Sequence, residues 1–163
     1  MRNSKGFTLV ELLATLAILA IIMGIAIPNV LSTLEKNRKT TYLEDAKKLV
    51  TLAEYEFNKD EELTVDSGCV RINLSYLDKT DLERGPNDGE YDTTNSYVII
   101  NYDDENHKYT YKVQLVENLN SGGTKGIGER IIDDLNAEGA ITHSEYFKEN
   151  SGWSNTTCTV TKS

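Results

Sequence analysis

From Phe7 to Leu34 the chain carries a single charged residue, Glu11, whereas charge is dense through everything that follows. That asymmetry constrains the fold more than any other feature. The 21 residues from Phe7 to Ile27 reach about 31 Å at 1.5 Å rise per residue, which matches a hydrocarbon core of roughly 30 Å. The segment is therefore long and apolar enough to cross a membrane as a helix. The length of 163 residues leaves room for one globular core besides it.

A cleaved secretory signal pairs a basic start with a short apolar run and a small-x-small cleavage site. Arg2 and Lys5 supply the basic start, but the run is too long and no Ala-x-Ala follows it. An uncleaved anchor fits better, with Arg2 and Lys5 on the cytoplasmic side and the chain after Pro28 outside. Glu11 does not suit a plain anchor, because an acidic group is costly at membrane depth. Two readings remain open for it: a carboxylate reaching the headgroups, or a charge that marks a binding event.

The run Lys5-Gly6-Phe7-Thr8-Leu9-Val10-Glu11-Leu12-Leu13 closely resembles the type III leader junction of type IV pilins and pseudopilins. It joins a short basic leader, a glycine before the cut, a methylatable phenylalanine, and a glutamate four residues on, with an apolar helix directly after. Pro28 also falls where such pilins carry a helix-disturbing proline. The resemblance covers roughly residues 1–60.

This resemblance implies a leader peptide at 1–6, a transmembrane and polymerisation helix at 7–28, and a globular domain at 29–163. It also implies cleavage between Gly6 and Phe7 by a prepilin peptidase that N-methylates the new Phe7 amine. Glu11 would then neutralise the Phe7 amine of a neighbouring subunit in a homopolymeric filament. The partners so implied are further copies of the chain, an assembly platform protein and a cytoplasmic assembly ATPase. The expected location is the inner membrane before assembly and an extracellular pilus afterwards, serving adhesion, surface motility or aggregation. A pseudopilin of a secretion or DNA-uptake system is the alternative within the family, and a membrane-tethered binding domain that never polymerises is the alternative outside it.

Beyond Pro28, Tyr42, Ala46, Leu49, Ala53 and Phe57 recur at three- and four-residue spacing, with Leu43 and Val50 widening the stripe. This stripe predicts a helix packed on a sheet. Pro28 removes the amide that would bond the Gly24 carbonyl, so a kink or weakened turn is expected at Gly24 and Pro28. Residues 58–95 read as a long connection, with strong turn chemistry at 85–89. The β-rich runs 96–102 and 108–116 flank a polar stretch of hairpin length. Ser121–Gly128 reads as a glycine-rich loop, Glu129–Glu138 as a short helix ended by Gly139, and 158–160 as a last strand. The fold class is thus α+β, type IV pilin-like: a long N-terminal helix packed on a small antiparallel sheet of three or four strands.

The polar remainder points away from other functions. An excess of 26 Asp and Glu over 17 Lys and Arg does not suit a nucleic-acid grip, and no partner of that class is expected. Gly122–Gly128 matches neither phosphate-binding fingerprint and reads as a surface loop. His107 and His143 read as surface histidines without clustered ligands. Asp103, Asp104 and Glu105, or Asn87 and Asp88 with Glu90, read as turn chemistry and lack a full calcium-loop pattern. With no nucleophile beside a base, the chain reads as structural, neither an enzyme nor a cofactor carrier. Cys69 and Cys158 are the two cysteines of a domain expected outside the cell, where disulfides persist. One bridge between them, or two separate buried thiols, both fit. Their wide spacing departs from the shorter C-terminal loop that pilins of many lineages enclose.

Overall fold

The computed structural model describes residues 7–60, 63, 65, 68–77, 82 and 84–162. The chain divides into two compact units, Met1–Asn37 and Arg38–Ser163. Helix α1 (Leu9–Lys59) contributes to both and carries Pro28 inside it.

In the second unit the apolar stripe of α1 lies in the core, as its spacing predicts. Tyr42, Leu43, Ala46, Leu49, Val50, Ala53 and Phe57 are all buried. They pack on a sheet built from β1 (Cys69–Asn73), β2 (Glu90–Tyr91), β3 (Tyr97–Asp103), β4 (Lys108–Asn118), β5 (Thr124–Ile131), β6 (Phe147–Glu149) and β7 (Val160–Lys162). The order is β6-β5-β4-β3-β1-β7, with β2 also paired to β4. All pairings are antiparallel except that of β1 with β7, which is parallel.

Strand alternation sorts the side chains onto two faces. Val70, Ile72, Val98, Ile100, Val113, Leu115 and Ile127 join the helix core. Arg71, Asn73, Tyr97, Ile99, Gln114 and Val116 are buried as well, without belonging to that core. Arg71 pairs with Ile99 and Tyr97 with Gln114 across the strands, which places this second set together on the opposite face.

The α+β class, the long helix and the hairpin at 103–108 stand, and four expectations are corrected. The sheet has seven strands, not three or four. The stretch read as a connection over 58–95 contains β1 and β2. The stretch read as a glycine-rich loop lies mostly in β5, which continues through Glu129 to Ile131 and leaves only Ile132–Asn136 for helix α2. The last strand starts at Val160, two residues later than its predicted start.

Gly126 shows why β5 reads as a loop. Its φ is +153°, and a β-carbon there would collide with the Leu115 carbonyl, next to the irregularity between Val113 and Leu115 in β4. A glycine demanded by close backbone approach in a bulged strand looks, in sequence, like loop punctuation.

Candidate functional site

The N-terminal end of α1 builds its own cap. Thr8 precedes the first helical residue, and its amide and hydroxyl both donate to Glu11 Oε2 at 2.9 Å. The Glu11 amide donates to Thr8 Oγ1 at 3.3 Å. This reciprocal Thr-x-x-Glu arrangement is a capping box, which satisfies amides that a helix start leaves open. It also directs the single carboxylate of the apolar stretch back toward Phe7. Gly6, the residue before the expected cut, lies outside the described residues.

The first unit presents apolar side chains all round the helix. Phe7, Leu9, Val10, Leu13, Ile21 and Ile25 are each more than half exposed, as are Leu12, Leu16, Ile18 and Val30. By length and composition α1 contains a segment able to cross a membrane. A helix apolar on every side is stable only when surrounded by lipid or by other apolar helices.

Around Pro28 polar side chains bond to carbonyls of their own helix. Asn29 Nδ2 donates to the Ile25 carbonyl at 3.2 Å, while Ser32 and Thr33 hydroxyls donate to the Asn29 carbonyl at 3.0 and 2.9 Å. A β-carbon at Gly24 would meet nothing within 4 Å, so Gly24 is not required by crowding within the chain. Within the chain, Gly24 lowers helix propensity.

In the second unit the structure joins Cys69 and Cys158 in one disulfide, 89 residues apart in sequence. Asp103 accepts bonds from the Glu105 and Asn106 amides and from Asn106 Nδ2, so its carboxylate caps the hairpin turn. His107 lies in that turn with a positive φ, 3.4 Å from Tyr102 Oη. His143 stacks on Tyr146 and contacts Glu145. Asn87 donates to Glu117, Asp88 pairs with Arg84, and Glu90 pairs with Asn118 in the sheet.

Sequence reasoning passed over Glu117, which is fully buried. Its carboxylate accepts from Tyr42 Oη, from the Asn87 amide and Nδ2 at 3.0 Å each, and from the Gly89 amide at 2.8 Å. Beside it Tyr91 Oη donates to Asp45 at 2.5 Å. The turn 85–89 wraps so closely that a β-carbon at Gly85 or Gly89 would strike the Glu117 side chain. Burial, then the Glu117 hydrogen bond, pushes the Tyr42 phenol up, and burial, then Asp45, does the same for Tyr91. Burial raises the Asp45 carboxyl above the usual range. The cluster ties α1, the turn and β4 together. The signal that points to it is alternation, since Glu117 falls in step with Val113 and Leu115.

A long N-terminal helix packed on an antiparallel-rich sheet is the architecture of the type IV pilin fold. Residues 1–27 match the family described as the prokaryotic N-terminal methylation motif. The chain is similar to the type IV wide pilus major component PilA4 of Thermus thermophilus, 43% identical over 77 residues. That match takes in 45% of this chain and 57% of the relative, so the chain spans little more than half the length of the curated protein it matches. No solved structure is significantly similar to it.

Proposed function

We propose that the chain is a structural subunit of a type IV pilus. The observation that carries this reading is the leader junction set directly on an exposed apolar stretch of helix, residues 7–34, whose sole charge is Glu11. Arg2 and Lys5 hold the precursor in the inner membrane with residues 29–163 outside. Prepilin peptidase cuts between Gly6 and Phe7, where the absence of a side chain on Gly6 lets the peptide bond approach the catalytic carboxylates. The same enzyme methylates the Phe7 amine. Loss of the basic leader frees the helix to leave the membrane, drawn outward by a platform protein and a cytoplasmic ATPase.

In the filament the all-round apolar surface of residues 7–34 is covered by other copies. Glu11 meets the Phe7 amine of a neighbour there, and that pairing removes the cost of a lone charge in apolar surroundings. The pilus then serves adhesion, surface motility or aggregation. Similarity to a wide-pilus component supports pilus over pseudopilus. Mass spectrometry of sheared surface filaments tests the reading: the expected subunit begins at N-methylated Phe7, and assembled material beginning at Met1 would sink it.

A further inference from the structure

The second face of the sheet is covered by chain that has no regular structure. Residues 150–157 cross it from β5 over β4 and β3 to β1, held at each step by side chains of the strands. At β5, the Asn150 amide donates to the Thr124 carbonyl at 2.8 Å and Trp153 Nε1 donates to Thr124 Oγ1 at 2.9 Å. At β4, one carboxamide reads both backbone groups of Ser154: its amide donates to Gln114 Oε1 at 2.8 Å, and Gln114 Nε2 donates to its carbonyl at 3.0 Å. At β3, the Tyr97 hydroxyl proton is shared between Glu129 Oε2 at 2.9 Å and the Ser154 carbonyl at 3.1 Å. At β1, Arg71 Nη1 donates to Asn155 Oδ1 at 3.0 Å and to the Thr156 carbonyl at 2.9 Å, with its guanidinium 3.9 Å from the centre of the Tyr97 ring.

None of these contacts uses a sulfur atom. Gln114 and Tyr97 are fully buried, and Arg71 is 6% exposed, so the clasp is part of the packed structure. The disulfide lies beyond its far end, where Cys158 meets Cys69 one residue ahead of Val70. Sequence distance gives the two thiols no help in finding each other, because 89 residues separate them. The clasp holds the strap of residues 150–157 beside β1 through backbone groups of Asn150, Ser154 and Thr156 and through the side chains of Trp153 and Asn155.

We propose that Tyr97, Gln114 and Arg71 dock residues 150–157 before any disulfide exists, so that the docked strap selects Cys69 of the same chain as the partner of Cys158, in preference to a cysteine of another copy. Closure is then thiol exchange with a small disulfide oxidant such as oxidised glutathione. One cysteine thiolate attacks the oxidant and expels one thiol. The second thiolate breaks the mixed disulfide and expels the other, so that two electrons and two protons leave with the reduced oxidant.

The test uses the full chain in detergent micelles. In Cys69→Ser/Cys158→Ser, the sole tryptophan, Trp153, keeps the emission maximum of the oxidised parent, and the Ser154 amide exchanges within about tenfold of its parental rate. A water-exposed indole with a Ser154 amide exchanging like free chain, while the Leu115 amide stays protected, would overturn the proposal. In Tyr97→Phe/Gln114→Leu with both cysteines present, the bonds to Ser154 are gone, at about fivefold in equilibrium for each. Treated with oxidised glutathione from the reduced state, this variant forms disulfide-linked dimers at least about fivefold more often than the parent. An unchanged monomer-to-dimer ratio on non-reducing gels would equally overturn it. Tyr97→Phe alone, which deletes one oxygen, moves the ratio the same way by less.

Discussion

Thr8 and Glu11 hold each other at the start of α1, with both the amide and the hydroxyl of Thr8 on a single carboxylate oxygen of Glu11. The same carboxylate therefore has two tasks in the proposed assembly: capping its own helix and meeting a neighbour's amine. Substitution separates them. Glutamine at this position keeps the reciprocal cap, because Gln serves there as Glu does, but removes the charge. Glu11→Gln should insert and be processed like the parent yet enter filaments poorly, as Glu11→Val should. Thr8→Ala should weaken the helix start while leaving incorporation closer to normal. The measure is the ratio of filament-bound to membrane-bound mature chain, and a parental ratio for Glu11→Gln would leave capping as the sole role of Glu11.

Within the second unit, a large effect on stability is expected at Glu117. Its removal leaves the Tyr42 hydroxyl, the Asn87 amide and the Gly89 amide without their acceptor. Each unsatisfied buried donor costs about 1–3 kcal/mol, so Glu117→Ala should destabilise by roughly 3 kcal/mol or more. Tyr42→Phe removes one donor to Glu117 and one of the two acceptors of Asn87 Nδ2, which keeps Glu117, and should cost about 1 kcal/mol. Urea unfolding of the full chain in micelles reads both. A loss from Glu117→Ala no larger than that from Glu105→Ala, in the exposed hairpin turn, would contradict the role assigned to the cluster.

What the sequence disclosed and what it hid divide along a physical line. The stripe from Tyr42 to Phe57 was legible because one helix face meets one apolar layer, so its period survives in the residues. The hairpin was legible because a polar turn separates two β-rich runs. Strand β1 was hidden because both its faces are buried: Val70 and Ile72 follow the apolar rule, but Arg71 and Asn73 are buried too, with Arg71 bonded to Asn73 and to the strap. The partners of Arg71 in the strap lie 84 and 85 residues further on, so nothing in the local pattern reports them. Alternation places Glu117 on the core face, but its partner was hidden likewise, since the contact with Tyr42 spans 75 residues. The leader junction was legible at once because its residues, from Lys5 to Leu13, are contiguous in sequence.

The disulfide should act mainly on the unfolded chain. Closing a loop of 89 residues restricts the denatured ensemble by about 4–5 kcal/mol on the loop-entropy account. Cys69→Ser/Cys158→Ser should therefore lower the stability of the second unit by up to that amount and leave its native contacts in place. Thermal unfolding with and without reductant gives the comparison. A reductant effect on the parent that persists in the double variant would show that the bridge is not its source.

Alkaline pH should unfold the second unit through its buried tyrosines. Burial, then Glu129, pushes the Tyr97 phenol up to about 12, and burial, then Glu54, does the same for Tyr111. Tyr42 and Tyr91 are raised too, by burial first and then by Glu117 and Asp45 respectively. In the unfolded chain these phenols ionise near 10. A group whose folded value is raised contributes stability that is fully present below the unfolded value and is lost as pH climbs through the folded one. The stability of the unit should thus hold up to about pH 10 and fall steeply from there to about 12. Tyr97→Phe removes one of these groups and should make the fall shallower, at some loss of stability near neutrality because the Ser154 carbonyl loses a donor. Urea midpoints recorded from pH 8 to 12 decide the matter. A decline of the same steepness in parent and variant would mean that Tyr97 does not contribute to the alkaline transition.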